Sequence, residues 1–369
     1  MSPIKRVWSN RAAVGPDERR VSVGSAAAGA KTSANLVPRW LVWLSASLLI
    51  FIVCSACHSA ARPSQMLTTL QIGKSQIDVT LEGDDLTVSH DELVAWVRAA
   101  ADSVATYYLR YPVPHVALHI VATEGNGVNG GRTFGAENGG IIRVHVGRET
   151  MVGGLAKDWM LTHEMVHLAF PSVPDNHHWI EEGIATYVEP IARVRAKKID
   201  QHEMWFEVVR DLHQGLPQSG DQGLDHTHTW GRTYWGGALF CLLADVEIRK
   251  QTGNKKGLDD ALRGIVQAGG DMRHDWSLEE ALDAGDRAVG VAVLKPLYEK
   301  MKSDPYPVDL AALWQQLGIV REGDNVRFVD DAPLSQIREA ITFGNPPVTS
   351  AAAPRAVDLG RRSNSTPAD

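Results

Sequence analysis

Cysteine is scarce in this sequence, and the scarcity limits what can hold the fold together. The 369 residues include three cysteines, of which only Cys241 lies beyond residue 57. A single cysteine forms no intramolecular disulfide, and the apolar setting of Cys241 in GALFCLLADV is typical of a buried, inert thiol. The folded part must therefore be stabilised by its hydrophobic core, with or without a metal ion.

Long runs of positive charge are also absent, which argues against a nucleic-acid partner. The formal net charge is −7, and 44% of the residues are hydrophobic. This is the composition of an ordinary soluble protein with room for one large domain or two small ones. We therefore expect no nucleic acid among the partners.

An apolar run near the N-terminus is shorter than the ~20 residues that a membrane-spanning helix needs. It covers 14 residues from Trp40 to Val53, and CSACHSAARPS follows it. The length is typical of the apolar region of a signal peptide. The Ser-Ala-Cys triplet resembles a bacterial lipoprotein cleavage site with Cys57 as the lipidated residue. Cys54 stands where such sites usually have a leucine-like residue, so an uncleaved anchor from Trp40 is the alternative.

Both alternatives predict an exported protein of the bacterial periplasm or cell envelope, attached to the membrane through lipid or an N-terminal anchor. Residues 1–38 are expected to be disordered, with their absence from the mature protein as an open alternative, and residues 39–57 are expected to form the signal peptide or anchor. The folded domain is predicted over 67–344. The Pro/Ala/Ser-rich tail, 345–369, is expected to be disordered.

Within that domain, strand-like segments come first and helical segments follow. LQIGKSQIDVTLEGDDLTVS predicts two strands joined by a turn, and a helix is predicted after Ser89, a suitable N-cap. PHVALHIVAT and IIRVHVG predict further strands, with a glycine-rich connection between them over 125–140. From Thr150 onward the pattern is almost entirely helical. This order predicts an α+β fold in which a small, mostly antiparallel sheet precedes a mainly helical half.

The clearest chemical signal is HEMVH, residues 163–167, on a predicted helix. His163 and His167 are four residues apart and hence share one helical face, where both imidazoles can bind one zinc ion. Glu164 lies beside them, too close in sequence to be an easy third ligand. It is placed to act as a general base toward a water on the metal. The alternative is an amphipathic helix that carries two histidines by chance.

A third ligand is expected from WIEEGIATYVEPI, because a catalytic zinc needs three protein ligands and an open position. Glu182, Thr186 and Glu189 form a polar stripe at helical spacing, and Glu181 lies off that stripe. Glu182 is therefore the predicted ligand, and Glu181 is expected to face solvent. Gly183 beside Glu182 would let two helices approach closely. Glu189 is placed to accept the spare ring N–H of a liganding histidine.

These two segments resemble the gluzincin (peptidase MA-like) zinc metallopeptidases, in particular the catalytic domains of the aminopeptidase N and glycyl aminopeptidase families. Their pattern is HExxH followed by W-x-x-E-G-x-A-x-Y. The resemblance implies that His163, His167 and Glu182 bind one Zn²⁺ per chain, that Glu164 is the general base, and that Glu189 is the acid behind the ligands. It also implies a thermolysin-like fold with the zinc site at the junction of sheet and helices. One departure is that only 14 residues separate His167 from Glu182, fewer than in aminopeptidase N.

A downstream segment, RTYWGGALF, resembles the Y-x-K-G-A segment of the same families, whose tyrosine stabilises the oxyanion of the tetrahedral intermediate. Tyr234, Gly237 and Ala238 match that segment, and Gly236 replaces its lysine. A phenol O–H that faces developing negative charge is a sensible partner for zinc. The alternative is a Tyr-Trp pair at the start of an ordinary core helix.

Two further resemblances concern segments that precede the helical half. GAEN, residues 135–138, resembles the GAMEN segment without its methionine, which would make Glu137 an amine-binding residue and the protein an exopeptidase. In the gluzincins the strand before the active-site helix is a sheet edge that pairs with extended substrate. By that resemblance, IIRVHVG is expected to be the edge strand.

The sequence therefore predicts a zinc-dependent peptidase, in which a zinc-bound water activated by Glu164 hydrolyses a peptide or protein substrate and Tyr234 stabilises the oxyanion. One alternative is a catalytically inactive zinc-binding or peptide-binding protein of the same fold. The intact Glu164 argues against it, because a structural zinc has no use for a base. A second alternative is a zinc hydrolase of a non-peptide amide or ester.

Overall fold

The structure, a computed structural model, describes residues 64–83 and 86–345. Its first half is a five-stranded sheet built from β1 Ser64–Ile72, β2 Ser75–Glu82, β3 His115–Thr123, β4 Val128–Ala136 and β5 Gly139–Gly147. Helix α1, His90–Tyr108, connects β2 to β3. As predicted, Ser89 caps this helix, since its side chain accepts from the N–H of Glu92 while the Glu92 carboxylate accepts from the N–H of Ser89.

The strand order is β1-β2-β3-β5-β4, which corrects two expectations. The pairs β1/β2 and β4/β5 are antiparallel, whereas β2/β3 and β3/β5 are parallel. Helix α1 crosses over between β2 and β3, and β4 reverses the chain between β3 and β5, so β2, β3 and β5 run in the same direction. The sheet is therefore mixed, and the prediction of a mostly antiparallel sheet is wrong. The segment IIRVHVG is also not the sheet edge. It forms β5, between β3 and β4, and β4 is the edge strand beside the helical half.

The glycine-rich segment that was expected to be a connection forms β4. Glycine has a low preference for strands, so the local sequence did not predict a strand here. Tertiary contacts explain why glycine is needed here. A Cβ at Gly131 would lie 2.5 Å from Oε1 of Glu164, and a Cβ at Gly135 would lie 2.4 Å from the carbonyl oxygen of Met272. Glycine in a strand often marks such a close approach.

The second half is mainly helical, as predicted. Its helices are α2 Val152–Ala156, α3 Met160–His167, α4 His178–Arg195, α5 Gln201–Asp211, α6 Gly237–Gln251, α7 Leu258–Gln267, α8 Leu278–Val289, α9 Leu294–Met301, α10 Leu310–Leu317 and α11 Ser335–Phe343. One hairpin, β6 Ile319–Glu322 with β7 Asn325–Phe328, interrupts them. Gly323 and Asp324 form its turn, and such a pair between two short alternating runs is a hairpin signal.

Helix α4 lies at the centre of the helical half and contacts α1, α3 and α6. Most of its residues are buried, including Arg193 and Glu189, which form an ion pair. Buried charges in a protein interior require partners, and the neighbouring helices show the same pattern. Arg249 on α6 is fully buried and bridges Asp245 on its own helix to Asp259 on α7. Of these pairs, Arg249–Asp259 joins two helices, α6 and α7, and the others lie within one helix.

Several predicted features lie outside the described residues. They are the N-terminal segments 1–38 and 39–57, Cys57, and the tail after Asn345. The domain predicted over 67–344 begins within β1, and α11 ends at Phe343. Cys241 lies buried in α6, as expected. No helix in the described part of the chain combines the length and the apolar character that crossing a membrane requires.

Candidate metal centre

Helix α3 places two histidines on one buried face. His163 and His167 are 3% and 2% exposed, and their ring centroids lie 4.9 Å apart. The helix starts where it does because the carboxylate of Asp158 accepts hydrogen bonds from the N–H groups of Met160 and Leu161. The four-residue spacing then brings both imidazoles to the same side.

Helix α4 supplies the third group. Glu182 is fully buried, and its Oε2 lies 3.1 Å from Nε2 of His163 and 3.6 Å from Nε2 of His167. One ligand atom from each of the three residues lies within 4.8 Å of the other two. A tetrahedral zinc site with bonds of about 2.0–2.1 Å separates neighbouring ligand atoms by about 3.3 Å. The three side chains therefore fit a zinc ion.

The hydrogen bonding of His167 supports the same fit. Its two ring nitrogens are buried, and neither forms a hydrogen bond with any described residue. Burial lowers the pKa of His167 to about 3 despite the nearby charge of Glu182, so the imidazole is neutral, as a metal ligand must be. Burial by itself raises the pKa of Glu182, but His167, His163 and His178 outweigh it and hold that pKa well below its usual range.

His178, the first residue of α4, holds the other oxygen of the same carboxylate. Its Nε2 lies 3.2 Å from Oε1 of Glu182, while its Nδ1 lies 3.0 Å from Oε2 of Glu181. Burial disfavours the charged imidazole, but these two carboxylates raise the pKa of His178 to about 10. The charged His178 holds Oε1 of Glu182. The other carboxylate oxygen, Oε2, is then directed at the two histidines of α3. We expected no such role for this residue.

Glu181 does not face solvent, and that expectation is wrong. It is 7% exposed, and its Oε1 accepts a hydrogen bond from the N–H of Val173. Burial raises its pKa, although the hydrogen bond and charge of His178 act in the opposite direction. The loop that follows α3 packs against Glu181 through Val173. Glu181 is therefore buried although it lies off the polar stripe of α4. Glu181 links that loop to His178.

Glu164 is buried between α3 and the edge strand β4. The hydroxyl oxygen of Thr133 on β4 lies 2.6 Å from Oε2 of Glu164 and 2.9 Å from its backbone oxygen. A hydroxyl has one proton, so Thr133 can donate to only one of them at a time. Gly131 leaves room for the same carboxylate. Neither residue was predicted, and the signal available was the alternation of small residues in NGGRTFG.

Tyr234 lies in a single turn of π-helix, Arg232–Gly236, directly before α6. Such turns are frequent at functional sites. Its ring stacks on that of His163 with centroids 6.2 Å apart and planes inclined by 20°. The structure therefore brings Tyr234 beside His163, one of the three candidate ligands. Arg232 anchors the turn through a buried ion pair of 2.7 Å with Asp221.

Two other predicted residues have different surroundings. Glu189 is buried, and its Oε1 accepts a hydrogen bond of 2.8 Å from Arg193. Burial raises the pKa of Glu189 to about 7, although the positive charge of Arg193 acts in the opposite direction. The negative charge of Glu189 in turn raises the pKa of His163.

Glu137 is exposed in the turn between β4 and β5. Gly131 of β4 lies against Glu164. Glu137 is six residues further along the chain, which corresponds to about 20 Å for an extended chain. The structure therefore does not bring Glu137 to Glu164.

Asp225, which the sequence did not single out, anchors the start of α4. It accepts hydrogen bonds of 2.8 Å from Nε1 of Trp179 and from the hydroxyl of Tyr298, and lies 3.0 Å from Nδ1 of His177. Trp179 belongs to the segment that carries Glu182. A buried carboxylate with three partners fixes the entry of this helix, because each lost partner would leave a charge unsatisfied.

Comparison with known proteins shows a relationship at the level of structure only. No protein-family model and no curated protein sequence matches the chain. An aminopeptidase N family protein from Idiomarina loihiensis is similar in structure, with a TM-score of 0.52, 14% identity, and coverage of 70% of this chain and 49% of that one. An M1 zinc metallopeptidase from Deinococcus radiodurans is less similar, with a TM-score of 0.43, 15% identity, and coverage of 68% and 54%.

The chain thus spans about half the length of these solved structures. At 14% identity, the likeness to the Idiomarina loihiensis protein concerns the fold alone. It agrees with a small sheet followed by a mainly helical half, and the predicted resemblance is confirmed to that extent. The described part of the chain is an α+β fold that matches about half of the aminopeptidase N family protein.

Proposed function

We propose that this protein is a zinc-dependent peptidase. The observation that carries the proposal is the convergence of His163, His167 and Glu182 within 4.8 Å, with Glu164 next to them on the same helix. A purely structural zinc usually has a fourth protein ligand, and no further histidine, cysteine or acidic residue in the described ranges joins this group. Three ligands with an adjacent carboxylate are the arrangement of a catalytic zinc.

Zinc held by these three residues would supply a Lewis acid that polarises a carbonyl oxygen and lowers the pKa of water toward about 7. Glu164 then takes the proton from the attacking water and returns it to the leaving amine. Thr133 keeps the Glu164 carboxylate in one orientation. The hydroxyl of Tyr234 donates a hydrogen bond to the negative charge that develops on the carbonyl oxygen.

Substrate binding is proposed along the edge strand β4. This strand packs against α3 beside Glu164, and an extended peptide can add to a sheet edge through its backbone. The partner we propose is therefore a peptide or protein in extended conformation. Export to the periplasm or cell envelope remains part of the proposal, and it rests on the sequence of residues 39–57 alone.

The experiment is a measurement of bound zinc and peptide turnover on the full chain, with two isosteric variants. Glu164→Gln should keep about one zinc per chain and lose nearly all turnover, because the amide cannot accept the proton. Tyr234→Phe should keep zinc and substrate binding and slow the chemical step. Turnover retained by Glu164→Gln would contradict its role as general base.

Glu182→Ala tests the metal centre itself, and it should abolish stoichiometric zinc binding. A screen of peptides, amides and esters then separates the alternatives. Turnover of esters alone would indicate a non-peptide hydrolase, and zinc binding without any turnover would indicate a binding protein. Absence of zinc after reconstitution of the parent chain would contradict the proposal as a whole.

A further inference from the structure

Two tryptophans are exposed in the described part of the chain, and each contacts one ring of the candidate site: Trp159 contacts His163, and Trp230 contacts Tyr234. Trp159 is 45% exposed and Trp230 is 43% exposed, whereas the other described tryptophans are buried or half-buried. Trp159 directly precedes α3, and Trp230 precedes the π-helical turn with Tyr234. They come from segments about 70 residues apart in the chain, so their common location is a product of the fold.

The two indoles are the first and last members of a row of four rings, here defined by successive ring contacts. The Trp159 ring meets His163 edge to face, with centroids 5.5 Å apart and planes at 84°. His163 stacks with Tyr234 at 6.2 Å, and Tyr234 stacks with Trp230 at 5.7 Å and 25°. The middle of the row carries the groups proposed to bind zinc and the oxyanion. Its two ends are large apolar surfaces that remain open to solvent.

Exposed indoles are costly to leave in water and are enriched where proteins bind ligands. Each indole here is held by one ring contact on a residue of the site, which keeps its face at a defined place. A peptide whose scissile carbonyl lies beside His163 and the hydroxyl of Tyr234 would place its neighbouring residues near the two rings that flank this pair. The side chains of these residues would meet indole surfaces.

We propose that Trp159 and Trp230 form the side-chain subsites on the two sides of the scissile bond. The preferred substrates are then peptides with an aromatic or bulky apolar residue next to the bond that is cut. This inference rests on the proposed peptidase function and adds the substrate class. Both tryptophans are specificity-determining residues, since a ring face discriminates by the size and polarity of the side chain it covers.

The test compares two peptides that differ only in having Phe or Ala beside the cleaved bond, placed in turn on each side of it. For the zinc-loaded parent chain we expect kcat/KM to favour Phe by about 10-fold or more. Trp159→Ala and Trp230→Ala should each reduce this ratio by about 10-fold on one side of the bond. Trp230→Phe should restore part of it because a ring remains. Phe343→Ala, at an exposed apolar residue of α11, is the matched control and should leave the ratio unchanged.

Binding to the Glu164→Gln variant separates failure of the subsites from failure of the proposed function. Fluorescence anisotropy with labelled Phe and Ala peptides should show tighter binding of Phe, reduced when Trp159→Ala or Trp230→Ala is added. If the parent binds Phe selectively through the two tryptophans and cleaves nothing, their role in recognising aromatic side chains stands and the peptidase function fails. If the parent cleaves peptides and the tryptophan variants keep the Phe/Ala ratio, the subsite proposal is overturned. Zinc content and Tm of each variant show that the fold and the metal centre are intact.

Discussion

Gly183 on α4 and Gly237 on α6 lie in direct backbone contact. A Cβ at Gly183 would be 2.3 Å from the Cα of Gly237, and a Cβ at Gly237 would be 2.2 Å from the carbonyl oxygen of Trp179. The sequence had suggested that Gly183 allows two helices to approach, and the structure confirms it. This contact brings the segment with Glu182 and the segment with Tyr234 together.

Gly183→Ala should therefore destabilise the protein. The added methyl group meets backbone atoms, which cannot rotate away, and we expect a loss of about 3 kcal/mol in the free energy of unfolding. Chemical denaturation measures it. Gly153→Ala in α2, where a Cβ meets nothing within 4 Å, is the control and should be neutral or stabilising. Equal stability of the two variants would contradict the close approach of α4 and α6.

Thr133→Val should impair catalysis and leave the fold intact. The substitution keeps the side-chain volume and removes the hydroxyl that lies 2.6 Å from Oε2 of Glu164. A hydrogen bond to a charged group contributes about 1.5–3 kcal/mol, so kcat/KM should fall about 10-fold or more. The matched control is Thr123→Val on β3, because the hydroxyl of Thr123 forms no hydrogen bond with described residues. A normal rate for Thr133→Val with unchanged zinc content would remove Thr133 from the site.

His178→Ala should weaken zinc binding. Without His178, Oε1 of Glu182 loses a neighbour at 3.2 Å, and the carboxylate can rotate away from the two histidines of α3. Groups behind metal ligands typically change metal affinity by about 10–100-fold, and chelator competition measures this. His178→Gln, which keeps an N–H donor, should recover part of the affinity. His202→Ala at a solvent-exposed histidine on α5 should have no effect, and a similar loss in both variants would contradict the specific role.

The contribution of Asp225 to stability should depend on pH. Burial disfavours its charge, but hydrogen bonds from His177, Trp179 and Tyr298 lower its pKa below the usual 3.8 of an aspartate. A lowered pKa in the folded state means that this stabilisation is present above pH 3.8 and disappears as the pH falls through the folded-state pKa.

Comparison of the parent with Asp225→Asn isolates that contribution. At pH 7 the variant should be less stable by about 2 kcal/mol, since hydrogen bonds to a charged acceptor become bonds to a neutral one. Urea unfolding at several pH values should show the gap shrinking below pH 4. A gap that stays constant or grows toward low pH would mean that the carboxylate charge does not anchor α4.

Local sequence was sufficient for features set by short-range spacing. The four-residue spacing of His163 and His167 determines that they share a helical face, whatever surrounds them. The polar stripe on α4 likewise favoured Glu182 over Glu181, and the structure places Glu182 against the two histidines. The order of strands and helices predicted the α+β class, and Ser89 marked the start of α1. The roles of these residues in zinc binding and catalysis remain predictions.

Other features were decided only by tertiary structure. Strand β4 forms although its glycines disfavour a strand, because pairing with β5 and contact with α3 outweigh local preference. Glu181 is buried because a loop packs over it, which helical periodicity cannot show. The hydrogen bond between Thr133 and Glu164 joins residues 31 positions apart in the sequence, and that between Trp179 and Asp225 joins residues 46 positions apart. Such contacts depend on how elements pack against each other, and packing of distant segments leaves no period in the sequence.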